Sequence, residues 1–436
     1  MEWYVVLAIM VGGLLLLFAS GLPVAYSFLI VNLLGLYFLM GGRAALGLMV
    51  VSAFDAISSF VLVPVPLFIL MGEIMLRSGV GPRALDALDK WIGRLPGRLS
   101  LLAVAGGTML STLSGSSMAT TALLGSTLVP EMKRRGYNNE MSMGPILGSG
   151  GLAMIIPPTA LGVLLGALAE ISIAKLLIAG IIPGLFLAGL YVIYIVVRAV
   201  ANPKIAPVYA VEHVPLKEKV FSLWYILPLG IVIFMVLVTI FIGVATPTEA
   251  SALGVLGTLI VAALYRRLSL SVVQQSLVSG LRITVIVMMI IVGSKTFSQI
   301  LAFTGASRGI IEVVVGLDIS PLSIVVVMMV IVLIMGAFID QISIMMITIP
   351  IFFPVITTLG FDPIWYGILL LVNLEIAGTS PPFGLVLFVM KSVVPGATLG
   401  EVYRAAIPFA VIDALGMGLM IAFPALVLWL PQLMLK

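Results

Sequence analysis

The sequence predicts an all-α, polytopic membrane protein built from two inverted repeats. Three observations predict this fold class: a high hydropathy, landmarks that recur in both halves of the chain, and an uneven distribution of positive charge. Apolar residues make up 62% of the 436 residues and charged residues 9%, with a mean hydropathy of +1.29. Soluble domains have about 45–50% apolar and about 25% charged residues, so this composition indicates a bilayer.

About ten apolar stretches are each long enough to cross the bilayer, since a crossing takes roughly 20 residues. They lie near residues 4–19, 22–40, 60–76, 141–169, 176–197, 222–243, 248–265, 281–302, 364–390 and 405–430. Glu2 stands where a secretory signal would carry a basic region. We therefore expect the first stretch to stay in the mature protein as a span.

The composition also excludes several kinds of chemistry. The chain has no cysteine, and its single histidine, His213, falls in the polar stretch 199–221. A thiolate metal site or a Ser-His-Asp centre is therefore not expected. The net charge of +4 comes from Lys and Arg in short loops beside apolar spans. These residues are expected to fix orientation in the lipid bilayer, and no nucleic-acid partner is expected.

Landmarks recur at a spacing of 224 to 225 residues, which indicates an internal repeat. The recurring pairs are Pro157-Pro158 with Pro381-Pro382, Ile182-Pro183 with Ile407-Pro408, and the polar cluster 113–121 with the polar cluster 338–346. We therefore predict a first repeat over residues 1–198, a connector over 199–221 and a second repeat over 222–436. The connector is rich in proline and charge, as segments between domains often are.

Positive charge predicts how the two repeats are oriented. Eight Lys and Arg residues flank the first polar cluster: Arg77, Arg83, Lys90, Arg94, Arg98, Lys133, Arg134 and Arg135. Only Arg308 flanks the second cluster. By the positive-inside rule the first cluster is reached from the cytoplasm and the second from the periplasm.

Both flanks of each polar cluster are predicted to lie on the same side of the membrane. The chain around each cluster is therefore predicted to enter and leave the membrane on that side as a re-entrant hairpin, at about 99–130 and about 320–358. Each half then has about five transmembrane helices, and an odd number inverts the second half. A plain succession of full helices is the alternative, because hydropathy does not distinguish the two. Segments 80–94, 268–281 and 305–317 have mixed polarity and are predicted to be interfacial helices, or else ordinary loops with helical character.

Each half also contains a predicted broken helix, at about 141–169 and about 364–390. Two adjacent prolines end a helix and leave carbonyls near 152–156 without intrahelical partners. Within a membrane such groups are tolerated only where protein buries them or where they line a polar cavity. A hard cation takes oxygen ligands, and sodium fits better than a transition metal because no thiolate or imidazole is near. A simple kink that binds nothing is the alternative.

The hairpin tips supply the remaining candidate groups. The residues that could line the two sites are Ser114, Gly115, Ser116 and Ser117 at the first tip, Asp340, Gln341 and Ser343 at the second tip, and Gly378, Thr379 and Ser380 at the second break. Each tip is expected to face a break, and the half-helix N-termini favour an anionic substrate group. A charged residue within a membrane span is costly and therefore usually has a functional role. Asp340 is the best candidate for cation or substrate contact, while Lys295 could balance a substrate carboxylate or pair with an acid.

Four stretches together resemble the large membrane subunit of tripartite ATP-independent periplasmic (TRAP) transporters. They are "GLAMIIPPT" (151–159), "ATPTEASALG" (245–254), "NLEIAGTSPPFG" (373–384) and "LSGSSMATTALLGSTLVPEMKRRGY" (113–137), and the resemblance runs nearly end to end. It implies a sodium-coupled symporter of the bacterial or archaeal inner membrane, with no enzymatic activity and no organic cofactor. It implies an elevator mechanism, in which the hairpins and broken helices slide against a scaffold.

The same resemblance implies partners and site residues. The expected partners are a separate small four-helix membrane subunit and a periplasmic substrate-binding protein that delivers a C4-dicarboxylate, a sialic acid or another organic acid. Carried over by position, the implied sodium ligands are Ser114, Gly115, Ser116, Ile155, Pro157, Gln341, Ser343, Gly378, Thr379 and Ser380. The implied substrate contacts are Ser117, Thr159 and Asp340. Lys295 is a further candidate for substrate contact, because of its charge within a span. A stand-alone sodium-coupled dicarboxylate or citrate carrier is the alternative.

Overall fold

The computed structural model describes residues 1–93, 95–207 and 214–434, and these residues form α-helices joined by short loops without a β-strand. The all-helical fold class is therefore confirmed. By length and composition, six of these helices could cross a membrane, or seven if the bent pair at 216–241 counts as one span. Four further apolar helices are shorter, at 10–17 residues. His213 and part of the predicted connector lie outside the described residues.

The helices are, in chain order, α1 Trp3–Ala19, α2 Val24–Leu39, α3 Arg43–Ile57, α4 Pro64–Arg77, α5 Val80–Ile92, α6 Arg98–Ser114, α7 Ser117–Arg134, α8 Asn139–Gly151, α9 Ala160–Leu168, α10 Ile173–Ala179, α11 Ile181–Ala201, α12 Leu216–Ser222, α13 Leu227–Phe241, α14 Pro247–Leu264, α15 Leu270–Phe303, α16 Ala306–Val315, α17 Pro321–Gly336, α18 Gln341–Thr358, α19 Pro363–Thr379, α20 Leu385–Val393, α21 Leu399–Ala422 and α22 Ala425–Gln432.

Both halves contain a helical hairpin followed by a broken helix. Helices α6 and α7 form hairpin 1 and helices α17 and α18 form hairpin 2, and the members of each pair pack on each other. The broken helices are α8 with α9, and α19 with α20. Their bounds lie within a few residues of the predicted ones. Entry of the hairpins from opposite membrane faces stays a prediction from the charge distribution.

Local sequence explains the sharp turn of hairpin 1. Gly115 adopts φ +59°, a left-handed conformation that favours glycine, and it ends α6. The Ser116 hydroxyl then accepts a hydrogen bond from the Ala119 N–H at 3.3 Å and caps α7. Two residues are therefore enough to reverse the chain.

The hairpins and broken helices form one inner bundle with the same packing in both halves. Helix α7 packs on α20, and α18 packs on α9, so each hairpin contacts the broken helix of the other half. Helices α8 and α19 are almost completely buried. Helices α2, α4, α13, α14 and α15 pack on one another in a second group. We call the first group the inner bundle and the second the outer group.

The two groups approach very closely where α4 meets the tip of hairpin 1. A Cβ atom added at Gly72 of α4 would lie 2.2 Å from the carbonyl oxygen of Ser114. Glycine at this position therefore lets the backbone of the outer group contact the backbone of the hairpin tip directly.

One expectation about the outer group was wrong. Segment 268–281 does not form a separate interfacial helix, because it belongs to α15, which continues for 34 residues. Ser269 caps this helix through the Val272 N–H, and no proline interrupts the run that follows. Helix α3, which was not predicted as an apolar stretch, packs on α15. The predicted segments 80–94 and 305–317 do contain separate short helices, α5 and α16.

Replacing Gly144 by alanine is expected to destabilise the inner bundle. A Cβ atom there would lie 2.6 Å from the carbonyl oxygen of Ala405 and 2.5 Å from the ring of Phe409, both in α21. Overpacking of this kind costs about 1–3 kcal/mol. The melting temperature of the purified protein in detergent should therefore fall by several degrees. The control Gly418→Ala, with no atom within 4 Å of the added Cβ, should melt like the natural chain. Equal melting temperatures for both variants would contradict the packing of α8 on α21.

Candidate functional site

The first break separates α8 from α9 over residues that are buried. A short 3-10 turn, Leu152–Met154, follows α8, and the Pro157-Pro158 peptide bond is cis. The Thr159 hydroxyl donates to the carbonyl oxygen of Met154 at 3.1 Å and accepts from the Gly162 N–H at 3.3 Å. Thr159 therefore caps α9 and satisfies one of the carbonyls that the double proline leaves without a helical partner.

Ile155 and Pro157 are buried in this break, as expected for residues at the middle of the bundle. The carbonyl oxygen of Ile155 lies against Gly180, where an added Cβ atom would come within 2.1 Å of it. This carbonyl therefore lies beside the start of α11.

The tip of hairpin 1 carries a compact network of hydroxyl groups. The Ser114 and Thr120 hydroxyl oxygens lie 3.0 Å apart, and the Ser116 N–H donates to the Ser114 hydroxyl at 3.3 Å. Ser111, one turn before the tip, donates to the carbonyl oxygens of Ser149 and Gly150 at 3.0 and 3.2 Å. Hairpin 1 is thereby attached to the carboxyl end of α8, directly before the first break.

Thr121 is a candidate residue that the sequence analysis missed. Its hydroxyl oxygen is buried and has no hydrogen-bond partner among the residues that the structure describes. It lies against Gly150, where an added Cβ atom would be 2.6 Å from that oxygen and 3.4 Å from the Ser117 carbonyl oxygen. The spacing could have identified it, because Thr121 is four residues after Ser117 and so shares its helix face.

Hairpin 2 and the second break meet in the same way. The Gln341 side-chain amide donates to the carbonyl oxygen of Leu374 in α19 at 3.2 Å. An added Cβ at Gly378 would lie 2.2 Å from the Gln341 amide nitrogen, so only glycine permits this approach. The rings of Phe338 and Phe383 also meet, with centroids 6.1 Å apart. The second tip and the second break are therefore in direct contact.

Asp340 and the break residues have well-defined local roles. The Asp340 carboxylate caps α18, because it accepts from the N–H groups of Ile342 and Ser343 at 3.1 and 3.2 Å and from the Ser343 hydroxyl. The Thr379 hydroxyl donates to carbonyl oxygens one turn earlier in α19. The carbonyl oxygen of Ser380 accepts from the Gly384 N–H at 3.0 Å.

A buried acidic cluster connects the two broken helices. Tyr191 of α11 lies between Glu375 of α19, with its hydroxyl 3.3 Å from the carboxyl oxygen, and Asp413 of α21, to which the hydroxyl donates. All three side chains are at most 1% exposed. Glu375 lies against Gly151 at the end of α8, where an added Cβ would be 2.5 Å from its carboxyl oxygen. Glu375 directly precedes the second break in the sequence, but nothing in the sequence pointed to Tyr191.

Lys295 lies apart from both tips. It lines a cavity of about 820 Å³ together with residues of α9, α15 and α18, and none of the tip residues lines this cavity. The structure thus brings the serine tip to the first break and the Asp340 tip to the second break, and it leaves Lys295 elsewhere.

The fold and this arrangement define a class of protein. Two hairpins whose tips meet two broken helices inside one bundle are typical of secondary transporters that bind substrate near the middle of the membrane. The chain is therefore the membrane-embedded part of a secondary transporter.

Comparison with known proteins identifies the family. Residues 11–426 match the family model of the tripartite ATP-independent periplasmic transporter, DctM component. The C4-dicarboxylate TRAP transporter large permease protein of Pseudomonas aeruginosa is 35% identical over 387 residues, covering 88% of each chain. The ectoine TRAP transporter large permease protein of Halomonas elongata is 29% identical and covers 98% of this chain and 99% of its own length. The YdaH transporter of Alcanivorax borkumensis shares the fold, with a TM-score of 0.65 at 13% identity over 88% of this chain and 90% of its own.

The chain belongs to the family of TRAP transporter large membrane subunits. It is an inner-membrane protein and a transporter subunit rather than an enzyme.

Replacing Tyr191 by phenylalanine is expected to destabilise the protein. The change removes the hydroxyl that the Asp413 and Glu375 carboxyl groups share, and loss of such a buried bond costs about 1–3 kcal/mol. The measurement is the melting temperature in detergent. Tyr366→Phe is the matched control, because the Tyr366 hydroxyl is also buried but has no hydrogen-bond partner among the described residues. The prediction is wrong if Tyr366→Phe lowers the melting temperature as much as Tyr191→Phe does.

Proposed function

We propose that this chain is the large subunit of a sodium-coupled importer of an organic acid. The observation that carries the proposal is that each hairpin tip lies at a helix break, the serine tip at the first break and the Asp340 tip at the second. Backbone carbonyls, hydroxyl groups and one carboxylate converge there in a bundle that lipid surrounds. Such oxygen ligands suit a hard monovalent cation.

At the first site, Ser114, Gly115 and Ser116 provide the tip, and Ile155 and Pro157 lie in the facing break. The buried Thr121 hydroxyl supports this proposal, because buried polar atoms rarely lack a partner and a bound cation would give it one. Thr121 is therefore added to the proposed sodium ligands.

At the second site, the proposed ligands are Gln341 and Ser343 at the tip and Gly378, Thr379 and Ser380 at the break. Asp340 would serve there as well, since a capping carboxylate keeps oxygen lone pairs free for a cation. The substrate would bind between the two tips, near Ser117, Thr159 and Asp340. The half-helix N-termini would favour its carboxylate.

Transport by an elevator motion fits the division into an inner bundle and an outer group. The inner bundle holds both proposed sodium sites, and it meets the outer group through small residues such as Gly72. The bundle would carry sodium and substrate across the membrane while the outer group stays in place.

TRAP large subunits work with a small membrane subunit and a periplasmic binding protein. We propose the same partners here, with a four-helix small subunit and a receptor that delivers the acid. Two relatives are described as C4-dicarboxylate and ectoine transporter proteins, so the substrate would be a small carboxylate.

The function is tested by reconstitution of the complete complex in liposomes. The receptor is first screened for binding of organic acids by thermal shift, and uptake of the acid that binds is then measured. We expect uptake only with an inward sodium gradient, with the loaded receptor present, and with saturation. An uptake rate that is the same with and without the sodium gradient would contradict sodium coupling. Uptake of free acid without receptor would favour the stand-alone carrier instead.

Replacing Asp340 by asparagine is expected to weaken sodium coupling without unfolding the hairpin. Asparagine caps helices about as well as aspartate, but it lacks the negative charge. The sodium concentration for half-maximal uptake should rise about tenfold, as expected when one charged ligand of a buried cation is neutralised.

Asp362→Asn is the matched control. Asp362 caps α19 in the same manner, accepting from the Ile364 N–H at 2.7 Å, but it lies at the far end of that helix from the break. Its sodium dependence should equal that of the natural chain. An unchanged sodium dependence in Asp340→Asn would remove Asp340 from the site.

A further inference from the structure

The cavity around Lys295 lies between the inner bundle and the outer group. Helix α15 of the outer group contributes Lys295, Ser298 and Gln299, and the inner bundle contributes the ends of α9 and α18. Its volume of about 820 Å³ falls within the range of roughly 300–1,000 Å³ that is usual for small-molecule sites.

The charge distribution predicts that this cavity opens to the periplasm. Lys295 is eight residues from the Phe303 end of α15, whereas Arg266 and Arg267 precede the opposite end. Further walls are residues 166–171 at the end of α9 and residues 349–357 in the second half of α18, which leads from the hairpin 2 tip back to the face where that hairpin is predicted to enter. By the positive-inside rule this side is periplasmic.

Lys295 is an unpaired cation. It forms no ion pair and no hydrogen bond with any residue in the ranges that the structure describes, and it is half-buried. Glu170 also lines the cavity but is exposed and does not pair with it. Of the two alternatives for Lys295, pairing with an acid is therefore not what the structure shows. An unpaired ammonium group within an apolar span is costly and is usually functional.

Neighbouring groups on α15 complete an anion-binding face. Ser298 and Gln299 follow Lys295 by three and four residues, so they share its face of the helix. The Ser52 hydroxyl donates to the Gln299 side-chain carbonyl oxygen at 2.5 Å. Because that oxygen accepts this bond, the Gln299 amide nitrogen keeps its donors for a ligand.

We infer that Lys295, Ser298 and Gln299 form a periplasmic capture site for a carboxylate or sulfonate group, separate from the site at the hairpin tips. The innermost residue of α18 in this cavity is Ile349, nine residues beyond Asp340, which is about 13 Å along the helix. The acid released by the receptor would bind here first and move to the tips afterwards. This use of the site rests on the proposed import function, whereas the anion site itself does not.

The site can be tested with chemical probes because the chain contains no cysteine. Ser298→Cys is made with Lys295 present and in a second chain that also carries Lys295→Met. Each is treated with two methanethiosulfonate reagents, one bearing a sulfonate and one bearing a trimethylammonium group. We expect the ratio of the sulfonate rate to the trimethylammonium rate to fall about tenfold when Lys295 is replaced by methionine.

Three controls make this experiment decisive. Lys295→Arg with Ser298→Cys should keep the natural ratio, because the charge is retained. Labelling of Ser298→Cys should occur from the outside of right-side-out vesicles. Ser392→Cys, an exposed site in the last turn of α20 beside Lys391, should react only from the inside, because the positive-inside rule places this end in the cytoplasm. An unchanged ratio in Lys295→Met, or labelling of Ser298→Cys only from the inside, would overturn the capture site.

Uptake by the reconstituted complex tests whether the site is used. Lys295→Met should raise the concentration of loaded receptor needed for half-maximal uptake at least fivefold, and it should change the maximal rate less. Lys295→Arg should keep the half-maximal concentration of the natural chain. If Lys295→Met reaches half-maximal uptake at the same receptor concentration as the natural chain, the capture role is wrong. The labelling experiment needs neither sodium nor substrate, so a failure of the import proposal would leave its result readable.

Discussion

The structure depends on one constraint, which is that backbone carbonyl and N–H groups within a membrane must find partners inside the protein. Each double proline removes helical partners at the middle of the bundle. The Thr159 hydroxyl replaces one of them by donating to the Met154 carbonyl oxygen, and the hairpins bond carbonyl oxygens beside the breaks, Ser111 at the end of α8 and Gln341 at Leu374. The hairpins are therefore attached next to the breaks by side-chain hydrogen bonds to backbone carbonyl oxygens.

The acidic cluster adds a second connection between the halves. Glu375 precedes the second break, contacts Gly151 before the first break, and shares the Tyr191 hydroxyl with Asp413. The Glu375 side chain thus packs directly against the end of α8, next to the first break. Displacement of one break would disturb the other, so the two proposed ion sites belong to one mechanical unit.

Much of this architecture could be predicted from the sequence, and the reasons are physical. A double proline interrupts a helix, and polar residues in a long apolar run mark a turn, so the helices of the structure end near the positions that these residues indicate. The continuity of α15 was missed because mixed polarity in 268–281 resembles an interfacial helix, whereas packing on α2, α3 and α4 stabilises one long helix. Tyr191 was missed because its significance lies in contacts between distant segments, whereas Thr121 could have been found from its spacing to Ser117. The separation of Lys295 from the tips has the same cause, since spacing along the chain does not reveal which helix face meets a cavity.

The contact between Gly72 and the hairpin 1 tip has a mechanical consequence. Interdigitated side chains would resist sliding, because each would have to move out from between its neighbours before the two surfaces could move. Gly72 has no side chain that would have to move away from the Ser114 carbonyl group. The steric barrier to sliding at this contact is therefore low. In the proposed elevator motion, the inner bundle would therefore meet little steric resistance where α4 contacts the serine tip.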